Sequence, residues 1–382
     1  MKLIAKTLYG LEPVLAQELI TIGSQNVREA NRAVTFEGDL KLLYKANYCL
    51  RSALSILVAI SEFRIRSSKD LYNNCLKTDW GKYLDSDSTF SVVPVVKSDF
   101  FTHTGYAGLL IKDAVADWFR SRTGKRPSVS STDPDILINL HLSHDKATIS
   151  LDSSVVPLYK RGYRVEQSAA PLNEVLAAGM IMLSGWDRRV PLLDPMCGSG
   201  TIPIEAGLMA CQVPPGKFRN FFGFQRWKDY DGDLFAGMKE EIDSGIALSP
   251  VRITGSDISG DAVAQARANL LSAGLDEVIK IEKSDFKDLL PDNGEGLIFI
   301  NPPYGRRIQP AAITELYSMI GTKLKHSFAG KSAFIITSDK EYLMHVGLKP
   351  REKKILYNGA LECIFAKYEL YQGTRKTGRE AI

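Results

Sequence analysis

Before Pro171 the apolar positions alternate between strand and helix periods in two sets. "KLIAKTL" (2–8) reads as a strand. In "GLEPVLAQELITIG" (10–23) Leu11, Val14, Leu15 and Leu19 share one helical face, and Gly23 is a C′ stop. "AVTFEG" is strand-like, Asp39 caps the helix of "DLKLLYKA", and "ALSILVAISEF" closes the set as a buried strand. This βαββαβ-like order predicts a small α+β sandwich over residues 1–65.

A second set follows over residues 66–157. A short helix around Leu71–Leu76 precedes the strand "TFSVVPVV", and "YAGLLIKDAVADWFRSR" is a helix with Leu110, Ala114 and Trp118 on one face. "DILINLHL" and "KATISLDS" are strands joined at the turn-like "SHD".

Beyond Pro171 strands alternate regularly with helices, which predicts a parallel α/β sheet. The strands are "VPLLD" (190–194), "RITGSD" (252–257), "IKIEKSD" (279–285), "GLIFIN" (296–301) and "SAFIITS" (332–338). "KKILY" and "ECIFAKYEL" flank Asn358-Gly359 as an antiparallel hairpin, giving a doubly wound sheet with a reversed edge strand. The tail, residues 373–382, has too little apolar content to pack and is expected to be flexible.

Of the 382 residues, 45% are hydrophobic and 24% charged, the profile of a globular chain with a substantial core. No apolar run approaches the roughly 18 residues that cross a bilayer. The opening "MKLIAKTLYGLEPV" breaks its apolar character at Lys6 and Gly10, so it does not read as a signal peptide. A cytoplasmic protein without a membrane partner is expected. Cys49, Cys75, Cys197, Cys211 and Cys363 are scattered with no C-x-x-C, which argues against a disulfide framework or a metal site. A net charge of +4 permits a nucleic-acid partner without requiring one.

In this half, strand ends deliver polar residues into turns, at the edge where open α/β sheets bind ligands. The first is "DPMCGSGT", Asp194 to Thr201, with Gly198 and Gly200 allowing backbone amides close to a ligand at a helix N-terminus. It is not the dinucleotide fingerprint, because the third glycine position holds Pro203. On its own such a turn fits plain turn chemistry as well as ligand binding. The second is Asp257 in "ITGSDIS", placed to accept ribose hydroxyls or to cap the next helix from Ser259. The third is "KSDFKD", where Asp285 suits an exocyclic amine and Phe286 an aromatic ring. Together these describe an adenosine pocket with no phosphate-binding lysine.

The fourth strand end is "NPPYG" (301–305). Two prolines stop regular structure and fix the backbone. The Asn301 side-chain carbonyl and the Pro302 backbone carbonyl are two acceptors for a nucleobase amine, with Tyr304 to stack on the base. Methyl transfer by positioning fits this set. A lone Asn-Pro is otherwise an ordinary strand stop.

"DPMCGSGT", Asp257, "SDF" and "NPPYG" together resemble a class I S-adenosylmethionine-dependent methyltransferase acting on an exocyclic amine. With the preceding 165 residues the chain resembles the THUMP-domain RNA methyltransferases, and among them the bacterial 23S ribosomal RNA guanine-N2 methyltransferases. "GLEPVLAQEL", "LYKRGYRVEQSAAPLNEVLAAGMIMLSGW" (158–186) and "GFQRWKDYD" (223–231) carry the resemblance along the chain.

The resemblance implies a ferredoxin-like subdomain (1–65), a THUMP RNA-binding domain (66–157) and a Rossmann-like methyltransferase domain (158–372) with a seven-stranded, mostly parallel sheet. It implies that Asp194, Cys197, Gly198, Gly200 and Thr201 border the methionine end of S-adenosyl-L-methionine. Asp257 would take the ribose, and Asp285 with Phe286 the adenine. Arg161, Gly162 and Tyr163 would lie on the connection closing over the cofactor, and Asn301, Pro302 and Tyr304 would hold the guanine. In some bacteria the family carries a fused second domain for a neighbouring 7-methylguanine. The sequence shows no counterpart, so that activity is not expected here.

Two basic stretches then read as RNA contacts. "RSRTGKR" (120–126) offers Arg120, Arg122, Lys125 and Arg126 at a helix end, with a solvated face as the alternative. The insertion "PPGKFRNFFGFQRWKDYDGD" interleaves Lys217, Arg219, Arg226 and Trp227 with phenylalanines, with a packed loop as the alternative. The expected reaction is methylation of guanine N2 in 23S rRNA or its large-subunit precursor. A transfer-RNA guanine-N2 enzyme, a non-catalytic RNA-binding assembly factor and a DNA adenine-N6 methyltransferase are the other readings.

Overall fold

The structure, a computed structural model, describes residues 1–165, 171–303 and 310–371. Contacts divide the chain into two compact units. The first comprises Met1–Thr7, Leu15–Lys160 and Arg219–Ser244; the second comprises Leu8–Val14, Arg161–Phe218 and the chain from Gly245 onward.

The elements run β1 (Lys2–Lys6), α1 (Glu12–Thr21), β2 (Gln25–Ala30), β3 (Ala33–Glu37), α2 (Leu40–Cys49) and β4 (Ser55–Arg64). Next come α3 (Ser68–Leu76), β5 (Thr89–Lys97), α4 (Thr104–Thr123), β6 (Ser128–Val129), β7 (Ile136–Ser143) and β8 (Lys146–Asp152). Then follow α5 (Glu174–Leu183), β9 (Leu192–Asp194), α6 (Thr201–Ala210), α7 (Gly232–Asp243), β10 (Ile253–Asp257), α8 (Gly260–Ser272) and β11 (Ile279–Lys283). The chain closes with β12 (Leu297–Ile300), α9 (Pro310–Ser327), β13 (Ser332–Thr337), α10 (Tyr342–His345), β14 (Glu352–Asn358) and β15 (Leu361–Glu369).

In the first unit the two strand sets form one sheet, in the order β2-β3-β1-β4-β8-β7-β5-β6. The seam is the antiparallel pairing of β4 with β8, Val58 opposite Leu151. Strand β2 has no apolar alternation because it is the solvated edge, and the sequence pattern did not reveal it. Asp39 caps α2 as expected, its carboxylate accepting from Leu42 N at 2.8 Å.

Residues 219–244 belong to this first unit. Phe222, Phe224, Phe235 and Met238 are buried with Leu3, Phe36 and Ile56 in one core. Trp227 packs against that core and against the neighbouring core built on Trp80, Ile111 and Trp118. The long gap between α6 and β10 therefore holds a segment whose apolar side chains complete the N-terminal fold. Burial accounts for Phe222, Phe224 and Phe235, each contributing about 1.5–3 kcal/mol.

In the second unit the order is β11-β10-β9-β12-β13-β15-β14, parallel except for β15 and its hairpin partner β14. The hairpin loop is Gly359-Ala360, with Gly359 at φ +65. From β9 the chain winds outward to β10 and β11, then returns to β12 on the other side of β9. This reversal is the switch point where such sheets form a crevice. On one face Ile298, Ile300 and Ile335 pack against Ile313, Tyr317 and Leu324 of α9. On strands β12, β13 and β15, Phe299, Phe334 and Phe365 stack with centroids 5.0 and 5.4 Å apart.

Candidate functional site

The sheet order sets the four strand-end motifs side by side. Along the carboxyl edge they run Asp285 after β11, Asp257 closing β10, Asp194 closing β9, and Asn301 after β12. A cavity of about 450 Å³ opens there, lined by residues of all four strand ends. Of the expected cofactor residues, Asp194, Cys197, Gly198, Thr201, Asp257, Asp285, Phe286 and Asn301 line it.

Gly198 and Gly200 both adopt positive φ, +53 and +82, which non-glycine residues reach only with strain. A Cβ on Gly200 would also stand 3.1 Å from the Ala266 side chain, so this turn is held tight against α8. Asp257 ties the turn to the neighbouring strand end. One carboxylate oxygen accepts from Gly198 N at 3.0 Å and the other from Ser259 N at 2.9 Å. The carboxylate thus binds a backbone amide at the start of the next turn, as the capping alternative expects, and it also lines the cavity with one lone pair of each oxygen left over.

Asp194 is almost fully buried, its carboxylate accepting from Met196 N at 3.2 Å. Burial, with the charge of Asp257 adding to it, pushes its pKa up to about 8. Burial likewise drives the Cys197 thiol well above its ordinary range, so it is held as the neutral thiol. Asp285 caps the turn at Phe286–Asp288, accepting from Lys287 N at 3.0 Å and pairing with Lys287 Nζ at 3.0 Å. Burial opposes its ionised form, but these hydrogen bonds outweigh it and hold the carboxyl below the usual range. Phe286 is buried, its ring 5.7 Å from Phe328.

Asn301 Oδ1 is buried and, among the described residues, has no hydrogen-bond partner. An orphaned buried acceptor costs about 1–3 kcal/mol. Asn301 also lines the cavity. Pro302 is buried beside it, and Tyr304 lies outside the described residues, as does the tail 373–382.

Arg161, Gly162 and Tyr163 do not line the cavity. The Arg161 guanidinium meets the Glu205 carboxylate of α6 at 3.3 Å, and Tyr163 OH donates to the same carboxylate at 3.3 Å. All three side chains are buried. Gly162 adopts φ +106 with its α-carbon against the Phe218 carbonyl, where a side chain would collide. These residues dock the connection onto α6.

The residue that reaches the turn is Arg164. Its guanidinium donates to Glu174 at 2.9 Å, to Ser199 Oγ at 2.9 Å and to Thr201 Oγ1 at 3.0 Å. Asn269 of α8 donates to the Ser199 carbonyl at 3.1 Å. Sequence reading passed over both. The available signals were the second arginine of "RGYR" and a polar residue on the buried face that Val263, Ala266 and Leu270 define.

The basic residues read as RNA contacts divide in two. Arg226 pairs with Asp133 at 2.7 Å and lies over the Phe221 ring, and Arg219 donates to the carbonyls of Val156, Pro157 and Lys160. Trp227 is half-buried in the first unit's packing, and Lys217 is exposed. In the other basic stretch Arg120 pairs with Asp117 at 2.7 Å, and Arg122 stacks on Trp118 at 4.2 Å. Lys125 and Arg126 are exposed just past Gly124, the left-handed cap of α4.

Among the described residues no helix is long and apolar enough to cross a membrane, and no cluster of His, Cys, Asp or Glu could hold a metal ion. The set fits an adenosine-type cofactor. A glycine turn at a helix N-terminus, the Asp257 carboxylate, the Phe286 ring and the Asn301 oxygen, which has no partner among the described residues, share one crevice.

Residues 161–367 match the RMKL-like methyltransferase domain, residues 66–152 the THUMP domain and residues 2–57 the RlmL ferredoxin-like domain. The ribosomal RNA large subunit methyltransferase K/L of Psychromonas ingrahamii is 39% identical over 371 residues, 95% of this chain but 49% of its own length. The chain thus spans about half of that relative. It spans 95% of the slr0064 protein of Synechocystis sp., which is 36% identical over 364 residues. The crystal structure of SMU.472, complexed with SAH, superposes with a TM-score of 0.87 at 30% identity, over 98% of this chain and 99% of that one. With more than half its length in that match, the chain belongs to the RMKL-like methyltransferase family, with ferredoxin-like and THUMP folds preceding its methyltransferase domain.

Proposed function

We propose that this protein transfers the methyl group of S-adenosylmethionine to the exocyclic N2 of a guanine in large-subunit ribosomal RNA. The observation that carries the reading is Asn301, whose buried side-chain oxygen has no hydrogen-bond partner among the described residues, at the end of β12 and in the same crevice as the glycine turn. The match to K/L relatives and the THUMP fold support the RNA substrate. In this reading residues 1–65 and 66–157 recognise the RNA and residues 158–372 carry the chemistry.

The bound cofactor supplies an electrophilic methyl on a sulfonium. Gly198, Gly200 and Thr201 hold its methionine end, with Asp194 and Cys197 forming the turn's inner wall. Asp257 accepts from the ribose hydroxyls, and Asp285 with Phe286 takes the adenine. Asn301 Oδ1 and the Pro302 carbonyl accept the two N–H groups of the guanine amine, turning its lone pair out of ring conjugation toward the methyl. As the new N–C bond replaces the methyl's bond to sulfur, the amine gives up one proton to water. Tyr304 stacks on the base. Extruding that base from its stack costs a few kcal/mol, roughly, which positioning must recover.

The test is incubation of the full chain with labelled S-adenosylmethionine and, separately, protein-free 23S rRNA, partly assembled large subunits, transfer RNA and duplex DNA, followed by nucleoside analysis. N2-methylguanosine in the large-subunit arms is expected. Label in transfer RNA alone, N6-methyladenine in DNA, or no transfer with RNA binding intact would each replace this reading with the corresponding alternative.

A further inference from the structure

The glycine turn poses a physical problem. Ser199 sits between two glycines at positive φ, and glycine has more conformational freedom than any other residue. A ligand that binds such a turn must first order it, at a cost in affinity, unless other groups hold it beforehand. Here Ser199 is held from both sides. Arg164 donates to its hydroxyl at 2.9 Å, and Asn269 donates to its carbonyl at 3.1 Å. The same Asn269 accepts from Val165 N at 3.0 Å, so residues 164 and 165 grip the turn together. Arg164 also bonds the hydroxyl of Thr201, the first residue of α6.

We infer that Arg164 is a positioning residue for the cofactor: its guanidinium, anchored on Glu174, presets the Gly198–Gly200 turn and the start of α6 in the binding-ready geometry. This rests on the cofactor reading above. The planar guanidinium suits the task, since its fixed fork reaches Glu174, Ser199 and Thr201 at once. A lysine would keep the charge opposite Glu174 but not the fork. The contrasting role is a buried ion pair that serves folding alone, and the two separate by experiment.

Binding of SAH to the full chain is measured by titration calorimetry, with methyl-transfer kinetics and melting temperature alongside. For Arg164→Lys we expect a near-normal melting temperature and an SAH Kd raised about tenfold. KM for S-adenosylmethionine should rise in parallel while kcat at saturation changes by less than about threefold. Arg164→Gln should melt lower, because it strands Glu174. Adding Glu174→Gln should restore the melting temperature and leave the Kd raised. A Kd within about twofold of wild type for both Arg164→Lys and the double variant, or one that recovers together with the melting temperature, overturns the positioning role. Should those variants fail to fold, Ser199→Ala with Thr201→Val removes both hydroxyls that Arg164 bonds, and an unchanged Kd there overturns it equally. Wild-type protein that binds no SAH overturns the cofactor reading along with this one, whereas wild-type binding with unaffected variants overturns this one alone.

Discussion

The Arg161 guanidinium lies 3.3 Å from the Glu205 carboxylate, with both side chains shut away from solvent. Removing one partner leaves the other's buried charge without this counter-charge. Arg161→Met or Glu205→Gln should therefore cost about 3–5 kcal/mol in denaturant unfolding. The double change Arg161→Met with Glu205→Leu should recover most of that loss, because no charge remains to be desolvated. Equal losses in the single and double variants would show that the pair's shape matters more than its charge.

At Asn301 stability and activity should move apart. Its Oδ1 is buried without a partner among the described residues, so Asn301→Ala removes an unsatisfied group. We expect unfolding stability to hold or rise by up to about 1 kcal/mol. Turnover should fall by about a hundredfold or more, with SAH affinity kept within a few-fold. Near-normal turnover would remove Asn301 from the proposed chemistry.

Asp194 should make the protein less stable as pH rises. Its folded pKa, about 8, stands above the ordinary 3.8 because of burial, with Asp257 adding to it. Below the unfolded value both states hold the proton and its contribution is fully present. Between about pH 4 and pH 8 only the unfolded chain ionises, so that contribution is lost, and above pH 8 it changes no further. Asp194→Asn cannot ionise. The stability gap between the variant and wild type, both without cofactor, should widen across that window and then level. A gap independent of pH would refute the assignment.

Two glycines in helices should respond with opposite signs. A Cβ on Gly321 of α9 would overlap the Val346 carbonyl, a backbone group that cannot swing aside. Gly321→Ala should therefore destabilise by about 1–3 kcal/mol or more. A Cβ on Gly237 of α7 meets nothing within 4 Å. There Gly237→Ala should stabilise by about 0.5–1 kcal/mol, since alanine loses less chain entropy on entering a helix. Thermal melts of the two variants check both.

The basic residues should also separate. Lys125 and Arg126 are exposed, whereas Arg226 is engaged with Asp133. Lys125→Ala with Arg126→Ala should weaken RNA binding and reduce the salt slope by about two charges. Arg226→Ala should change that slope less and lower the first unit's stability by up to about 1 kcal/mol. Equal salt slopes for the two variants would contradict this division.

Much of the fold was legible in the chain itself, because burial imposes periodicity. The strands ending at Asp194, Asp257 and Ile300 lie within a residue or two of their apolar runs, and Asp39 and Ser259 cap as their chemistry requires. Strand β2 was not legible, because a solvated edge strand needs no alternation. For the phenylalanines of residues 219–244 the pattern left RNA contact and a packed loop open, and contacts bury Phe222, Phe224 and Phe235 in the first unit.

The residue types at the strand ends were determined by the sequence: two glycines, three carboxylates, an asparagine and an aromatic, in chain order. Tertiary structure alone decided that β9 lies between β10 and β12, which brings those ends to one cavity. It also decided that Arg161 and Tyr163 turn to Glu205 while Arg164 reaches the turn. Local pattern encodes which face of an element is buried. Which polar group meets which across tens of residues depends on the packing of α5, α6 and α8, and short-range periodicity carries no record of that packing.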